Sequence, residues 1–269
     1  MEQITRNVYV ETGFMGCNTS FVVTGEGVVL IDTPMVPADA KKWAEEIARH
    51  GPLRYVINTE PHGDHYSGNG YFGGTVVAHE GTRQAILRAS VEDMRQMLQR
   101  MAPGGPPLDA DFHYRPPEIT LSQRLTLYLG KHTFHLINLP GHTPYQVAVH
   151  VPEERVVFTS DNLNLGTPVF RDSQPDHWLE SLKQYEELDI DLAVPGHGEV
   201  TGKDSFAAMG ELIRSWLDAV RAAIEGGMSL EEAQQKLPST PPFSTAPQEG
   251  PMLEFLRGNI ERIYRFLKK

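Results

Sequence analysis

The short apolar run "RYVIN", Arg54–Asn58, stops at "TEPHGDHYSGN", where Glu60, His62, Asp64 and His65 crowd two carboxylates and two imidazoles into six positions. A run of that kind reads as a buried strand, and a polar cluster of that density has to lie on the loop at its end. Strand-end loops are where α/β folds commonly place chemistry. The same punctuation recurs downstream: His142 in "LPGHTPY" after "FHLIN", Asp161 in "FTSDN" after "RVVF", and His197 in "VPGHGE" after "LAV". A random scatter of eleven histidines would not usually place several at equivalent strand ends, so one shared site is the economical reading.

The segments between these stops carry the periods of a mixed fold. "VYVE", "SFVVT" and "GVVLID" read as strands, with "TGEG" as a hairpin turn. An amphipathic helix is expected from about Pro37 to Arg49, with Ala40, Trp43, Ala44 and Ile47 on one face. "GTVVAH" is a further strand, and "GTRQAILRASVEDMRQMLQRM" reads as one helix whose methionines are core. "APGGPPLDADFHYRPPE" is a surface loop by composition. Strands follow at "ITLS", "LTLYL", "TFHLINL", "QVAVHV", "RVVFTSD" and "DLAVP", with a helix through "DHWLESLKQYEEL" before the last.

The remainder is mostly helical. Asp204 to Glu225 is one helix, "SLEE" at Ser229–Glu232 is a capping box, "PSTPPFSTAPQEGP" is a linker, and Leu253 to Leu267 is the last helix. The expected organisation is a metal-binding domain over residues 1–202 and a helical C-terminal extension over residues 203–269 packed on it.

Imidazole and carboxylate together suit Zn, Mn or Fe, and a chain with one cysteine, Cys17, has no thiolate pair for a structural zinc site. In these residues the chain resembles the metallo-β-lactamase superfamily, whose His-x-His-x-Asp-His motif is followed by a distant Gly-His, an Asp and a final His. Six of the seven ligand positions match, over a region from about Val8 to His197 that includes "GVVLIDT" and "SGN". The resemblance implies an α/β fold, a four-layer αβ/βα sandwich with metals at one edge of its two sheets. It implies that His62, His142 and residue 60 hold a first metal, that Asp64, His65 and His197 hold a second, and that Asp161 bridges them. It gives Asp32 in "LIDT" a hydrogen-bonding role in organising the site loop.

By the same resemblance the expected cofactors are two divalent ions, Zn foremost and Fe or Mn as alternatives. The expected activity is hydrolysis of a small carbonyl substrate, a β-lactam, lactone or thioester, with Asp64 orienting the nucleophile. An iron-dependent oxidoreductase of the same fold, sulfur dioxygenase-like or diiron, is the runner-up. A binding protein that lost turnover is a third class, weakened by the number of intact polar positions. Glu60 is the departure from the motif. Either it points away and weakens the first site, or it is a ligand that hardens the set and makes Fe or Mn more competitive with Zn.

Residues without that pattern are read more plainly. His79, His132, His135 and His150 lie on or beside strands and are expected to be structural, and His177 stands near a helix N-terminus. Phe14 and Met15 in "GFMGCNTSF" are candidates for a hydrophobic flap, with ordinary burial favoured. Tyr145 and Asn164 follow ligands by three positions and are candidate substrate contacts. The C-terminal segment with Trp216 and Tyr264 is left open as outer packing, a substrate wall or a homodimer contact.

A net charge of -11 without a basic stripe argues against nucleic acid and anionic membranes as partners and leaves a small-molecule substrate. No run approaches the roughly 20 apolar residues of a membrane span. "MEQITRNVYVETG" shows no basic segment leading into an apolar one, so the expectation is a cytoplasmic protein in which a role against antibiotics is doubtful.

Overall fold

Apolar residues at every second position decide how the first strands stack. In the computed structural model, which describes residues 1–101, 104, 106–164, 166–245 and 249–269, seven strands form one sheet. They are β1 (Glu2–Gln3), β2 (Val8–Glu11), β3 (Thr19–Thr24), β4 (Gly27–Ile31), β5 (Leu53–Asn58), β6 (Thr75–His79) and β7 (Ile119–Leu121), side by side in chain order. β1 to β4 pair antiparallel, and β4 to β7 pair parallel. A second sheet takes β8 (Arg124–Leu129), β9 (His132–Asn138), β10 (Val147–Val151), β11 (Val156–Ser160) and β12 (Leu192–Pro195), again in chain order from one edge to the other. Only β11 and β12 of this sheet run parallel.

β4 shows why both faces of the first sheet are covered. Val29 and Ile31 face the second sheet and share one core with Val22, Ile57, Phe134, Leu136, Val149 and Phe158. Val28 and Leu30, pointing the other way, pack with Phe21 and Val56 under helix α1 (Pro37–His50). The buried residues of α1, Ala40, Trp43 and Ile47, are spaced three and four apart, as a stripe on a 3.6-residue period requires. Each large side chain so buried contributes roughly 1.5–3 kcal/mol.

After β5 comes the single turn α2 (Gly63–Tyr66), and after β6 the helices α3 (Glu80–Arg88) and α4 (Val91–Met101). The uninterrupted helix expected across this stretch is therefore broken. Ala89 takes φ -65° and ψ 138°, and the Ser90 hydroxyl accepts the Asp93 amide at 3.3 Å, so the chain leaves α3 and opens α4 with a new cap. Met94 and Leu98 of α4 then bury beside Met35 and Leu108. Met101's side chain lies outside the described residues.

The remaining helices are α5 (Pro175–Glu186), α6 (Asp204–Glu225), α7 (Leu230–Lys236) and α8 (Gly250–Leu267). Chain contacts group Met1–Leu139, Tyr145–Asn162 and Asp189–Lys203 as one compact unit, and Pro140–Pro144, Leu163–Leu188 and Asp204–Lys269 as another. The first unit contains both sheets. Within the second, an aromatic series fills the interior: Phe170 lies 5.7 Å from both Trp178 and Trp216, and Trp216 lies 4.6 Å from Phe243. α7 opens with the expected capping box between Ser229 and Glu232. The expected α/β class, with two sheets and a C-terminal helix, is the one observed. Among the described residues no helix is long and apolar enough to cross a membrane.

Candidate metal centre

β4, β5, β11 and β12 end at the polar residues singled out above, and the parallel pairings β4–β5 and β11–β12 bring those ends level in pairs. Beyond β5 the chain stays extended as far as His62, at φ -83° and ψ 145°, before α2 begins. Alternate side chains of an extended segment share a side, and Glu60 Oε1 accordingly lies 2.9 Å from His62 Nδ1. The turn of α2 then carries His65 back, placing its Nε2 3.0 Å from the same Glu60 oxygen. Glu60 is fully buried and faces the cluster, so the reading in which it points away does not hold.

Asp32, just past β4, is held in the left-handed region at φ 54°, which Asp tolerates better than most residues. Its carboxylate accepts from the Thr59 amide at 2.8 Å, the Thr59 hydroxyl at 2.5 Å and His65 Nδ1 at 2.9 Å. A carboxylate facing these donors only accepts, so Nδ1 carries a proton and Nε2 is left as the ligand atom of His65. Asn58 and Asn69, the first and last residues of the loop, exchange amide hydrogen bonds at 2.9 and 2.8 Å, and Asn58 also donates to the His65 carbonyl. The role expected of Asp32 is visible in this geometry.

From the second sheet, β11 ends on Ser160 at φ 51°, directly before Asp161, and β12 ends on Pro195 before Gly196 and His197. The Asn18 amide donates to the carbonyls of Pro195 at 2.9 Å and Gly198 at 2.8 Å, bracketing His197. His197 Nε2 stands 3.3 Å from Asp64 Oδ2 and 3.4 Å from Asp161 Oδ1. Two sets, Asp64–His65–His197 and Glu60–His65–Asp161, keep their ligand atoms within 4.8 Å of one another. His142 belongs to the second unit, where its Nδ1 donates to the Val169 carbonyl at 3.0 Å and its ring stands edge-on to Trp178.

Electrostatics mark the cluster as short of positive charge. Burial alone would raise the carboxyls of Asp64 and Asp161, yet His65 and His197 hold Asp64 below the usual range and Asp161 well below it. Burial likewise opposes charge on the imidazoles. Asp161 and Asp64 nevertheless lift His197 to about 10, and Cys17 with the carboxylates of Glu60, Asp32 and Asp64 lifts His65 well above its ordinary value. Protons on imidazole thus supply in the metal-free chain what a cation would supply to this donor set. His65 Nε2 is the clearest sign: it is buried, makes no hydrogen bond, and is ringed by Glu60 Oε1 at 3.0 Å, Asp161 Oδ1 at 3.5 Å and Asp64 Oδ2 at 3.8 Å. The donors fit a divalent ion.

Gln146, at the head of the β10 strand, had no signature in the sequence. With its amide oriented to satisfy its neighbours, it donates to Glu60 Oε2 at 3.0 Å and accepts from the Ser160 hydroxyl and the Asp161 amide, both at 3.0 Å. The candidate substrate contacts are placed less tellingly. Phe14, half-buried, stands edge-on to Trp43, and Met15, also half-buried, packs against the cluster of Met35 and Met94. Tyr145 stacks on His79, and Asn164 accepts the Gly166 amide. His79 caps α3, His132 pairs with Glu154, His135 meets Thr126 and His177 meets Gln174, all local structural uses.

The family profile described as the metallo-beta-lactamase superfamily matches residues 12–197. The chain is 26% identical over 212 residues to the 2,4-dinitroanisole O-demethylase subunit alpha of Nocardioides sp. (strain JS1661), covering 74% of this chain and 59% of that one. It is 29% identical over 120 residues to a hydroxyacylglutathione hydrolase of Ruegeria pomeroyi, covering 44% of this chain and 47% of the relative. The matches thus span about half of these relatives' length. In fold it is similar to the metallo-beta-lactamase from Pontibacter korlensis, with a TM-score of 0.62, 20% identity, and coverage of 79% and 97% of the two chains. On the family match and the two-sheet fold that carries it, the chain belongs to the metallo-beta-lactamase superfamily.

Proposed function

We propose that the chain is a metal-dependent hydrolase of a small carbonyl substrate, with thioesters placed ahead of lactones and β-lactams. The observation that carries this reading is His65 Nε2, buried without a hydrogen bond among three carboxylate oxygens. Such a convergence of acids is costly unless positive charge sits among them. By the family's pattern two divalent ions would be held, one by Glu60, His62 and His142 and the other by Asp64, His65 and His197, with Asp161 as a ligand to both. When bound, such ions supply Lewis acidity toward a carbonyl oxygen and lower the pKa of water toward neutrality.

The chain's own groups supply the rest. The Asp64 side chain is 27% exposed where that of Asp161 is 9% exposed, so Asp64 is the acid turned toward solvent and the one suited to orient the attacking water. His197, 3.3 Å from its Oδ2, keeps that acid in place. Asp32 and Thr59 fix His65 from behind, and Gln146 ties Glu60 to Asp161. The preference for thioesters leans on the relatives named hydroxyacylglutathione hydrolase.

The test is elemental analysis of protein purified without chelator, for wild type and Glu60→His, alongside turnover of an acyl-glutathione thioester, a lactone and a chromogenic β-lactam. Two equivalents of Zn or Mn, with turnover abolished in His62→Ala and in Asp161→Ala, is the expected result. Turnover retained in both alanine variants overturns the assignment, and a mainly iron content transfers the site to oxidoreductase chemistry.

A further inference from the structure

The second unit holds His142 in a way that involves a residue far along the chain. The His142 Nδ1 partner is the Val169 carbonyl at 3.0 Å, and a carbonyl only accepts, so Nδ1 must carry the hydrogen and Nε2 the lone pair. Val169 has no side-chain means of aiming its own carbonyl. Its two neighbours in the chain are fixed instead by one side chain of α8: Asn259 donates from Nδ2 to the Pro168 carbonyl at 2.8 Å and accepts the Phe170 amide on Oδ1 at 2.8 Å. The Asn259 side chain is buried, and both of its polar atoms are used on this one stretch. One turn on, Arg262 donates to the Ser173 carbonyl at 3.1 Å, so the same face of α8 grips this strap, residues 168–173, at a second point.

We infer that Asn259 is a positioning residue for His142: by bracketing residue 169 from both sides it aims the Val169 carbonyl, which sets the tautomer and ring orientation of the imidazole. This assigns to the C-terminal helix a part in the site that neither outer packing nor a dimer contact would require. The inference rests on the proposed role of His142 as a ligand for its functional meaning, while the orientation itself stands on hydrogen bonds within one unit. Groups that hydrogen-bond the far nitrogen of a metal-binding histidine are worth about 10–100-fold in metal affinity, and an asparagine acting through one intervening carbonyl belongs at the lower end, near tenfold.

The experiment compares the full chain in wild type, Asn259→Leu, Asn259→Ser and Tyr264→Phe. Leucine removes both hydrogen bonds at similar volume, and serine keeps a polar group too short to reach both partners should leucine prevent folding. Tyr264→Phe is the control, since it deletes a hydrogen bond of the same helix, to the Met228 carbonyl at 2.9 Å, without touching the strap. Nitrogen-15 NMR of histidine-labelled, metal-free protein reads the His142 tautomer, and chelator competition with Zn reads each metal equivalent. The wild type and Tyr264→Phe are expected to show the Nδ1–H form. The Asn259 variants should mix the two tautomers and lose about tenfold in one of the two Zn affinities, with the other unchanged.

A folded Asn259 variant with an unaltered His142 tautomer and both affinities intact overturns the inference. So does an equal effect from Tyr264→Phe, which would mean that loosening α8 anywhere suffices. If the wild type binds no metal, the hydrolase reading fails while the tautomer comparison still decides the positioning role.

Discussion

Gly196 separates two strand-end residues that must approach closely, and replacing it with alanine gives the sharpest test of the site's packing. A Cβ at this position would stand 1.9 Å from Asp161 Oδ1 and 2.9 Å from both the Asp161 amide nitrogen and the Ser160 carbonyl carbon. Restoring ordinary contact of 3.4 Å to the carboxylate requires a displacement of about 1.5 Å. The carboxylate has little room to swing, because His197 and His65 lie 3.4 and 3.5 Å from that oxygen, and the other two atoms are backbone. Overpacking of this kind costs roughly 1–3 kcal/mol, and displacing a buried acid from its imidazoles adds to it, so about 3 kcal/mol is expected. For a chain of this size that lowers the melting temperature by about 6–10 °C. Gly198→Ala is the matched comparison: its φ is +89° but a Cβ there meets nothing within 4 Å, so only left-handed strain of about 1–2 kcal/mol applies. Urea unfolding of the two variants and of wild type, with metal content measured on each, decides the matter. A Gly196→Ala protein as stable as Gly198→Ala, with wild-type metal content, would refute the close approach of Gly196 to Asp161.

In the metal-free chain the pH dependence of stability follows from the same charges. His197 is raised from 6.5 to about 10, so its contribution is complete below pH 6.5 and lost as pH climbs through 10. Asp161 and Asp64 are lowered from 3.8, so theirs is complete above that value and lost as pH falls through their folded pKa values. Urea midpoints should therefore peak between about pH 4 and 6.5 and decline toward pH 10, and a flat profile across pH 6 to 10 would contradict the cluster's charge pattern. Cys17, whose buried thiol is pushed up to about 12 and donates to the Asp64 carbonyl at 3.1 Å, should react with a thiol reagent at pH 8 only at the rate of global unfolding. Rapid labelling of the folded chain would show that the turn carrying it opens on its own.

The strand ends were legible because two signals coincide there: an apolar run that has to be buried and a polar or chain-breaking residue that cannot continue it, as at Asn58 and Pro195. The helices α1 and α6 were legible from spacing alone, since each keeps one buried stripe throughout. The break between α3 and α4 was not, because a serine in a helical pattern is tolerated until its hydroxyl finds the amide three residues on, as Ser90 does with Asp93. Gln146 and Asn18 carry no sequence signature for a related reason. A neutral amide resembles no metal ligand, and its role here comes from partners on separate strands, Glu60 with Asp161 in one case and Pro195 with Gly198 in the other. Tyr145 was placed by its distance from His142 along the chain, a measure blind to the stacking that ties its ring to His79.

Glu60 shows how a motif can lose a histidine and keep its geometry. Each of its carboxylate oxygens has a polar partner, Gln146 on Oε2 and His62 Nδ1 on Oε1, so this buried acid is stabilised by neighbours that a histidine at the same place would not use in that way. With Asp64 and Asp161 it makes three acids around His65, and Asp32 stands behind as a fourth. The added charge strengthens the attraction for a divalent cation and, by the same Coulomb term, offsets more of that cation's field. Retention is thereby favoured over Lewis acidity. Oxygen in place of nitrogen also hardens any donor set that includes Glu60, so in such a set Mn and Fe would gain on Zn. Gln146, which donates to Glu60 Oε2 and accepts from the Asp161 amide, ties this acid to the backbone that carries a neighbouring one.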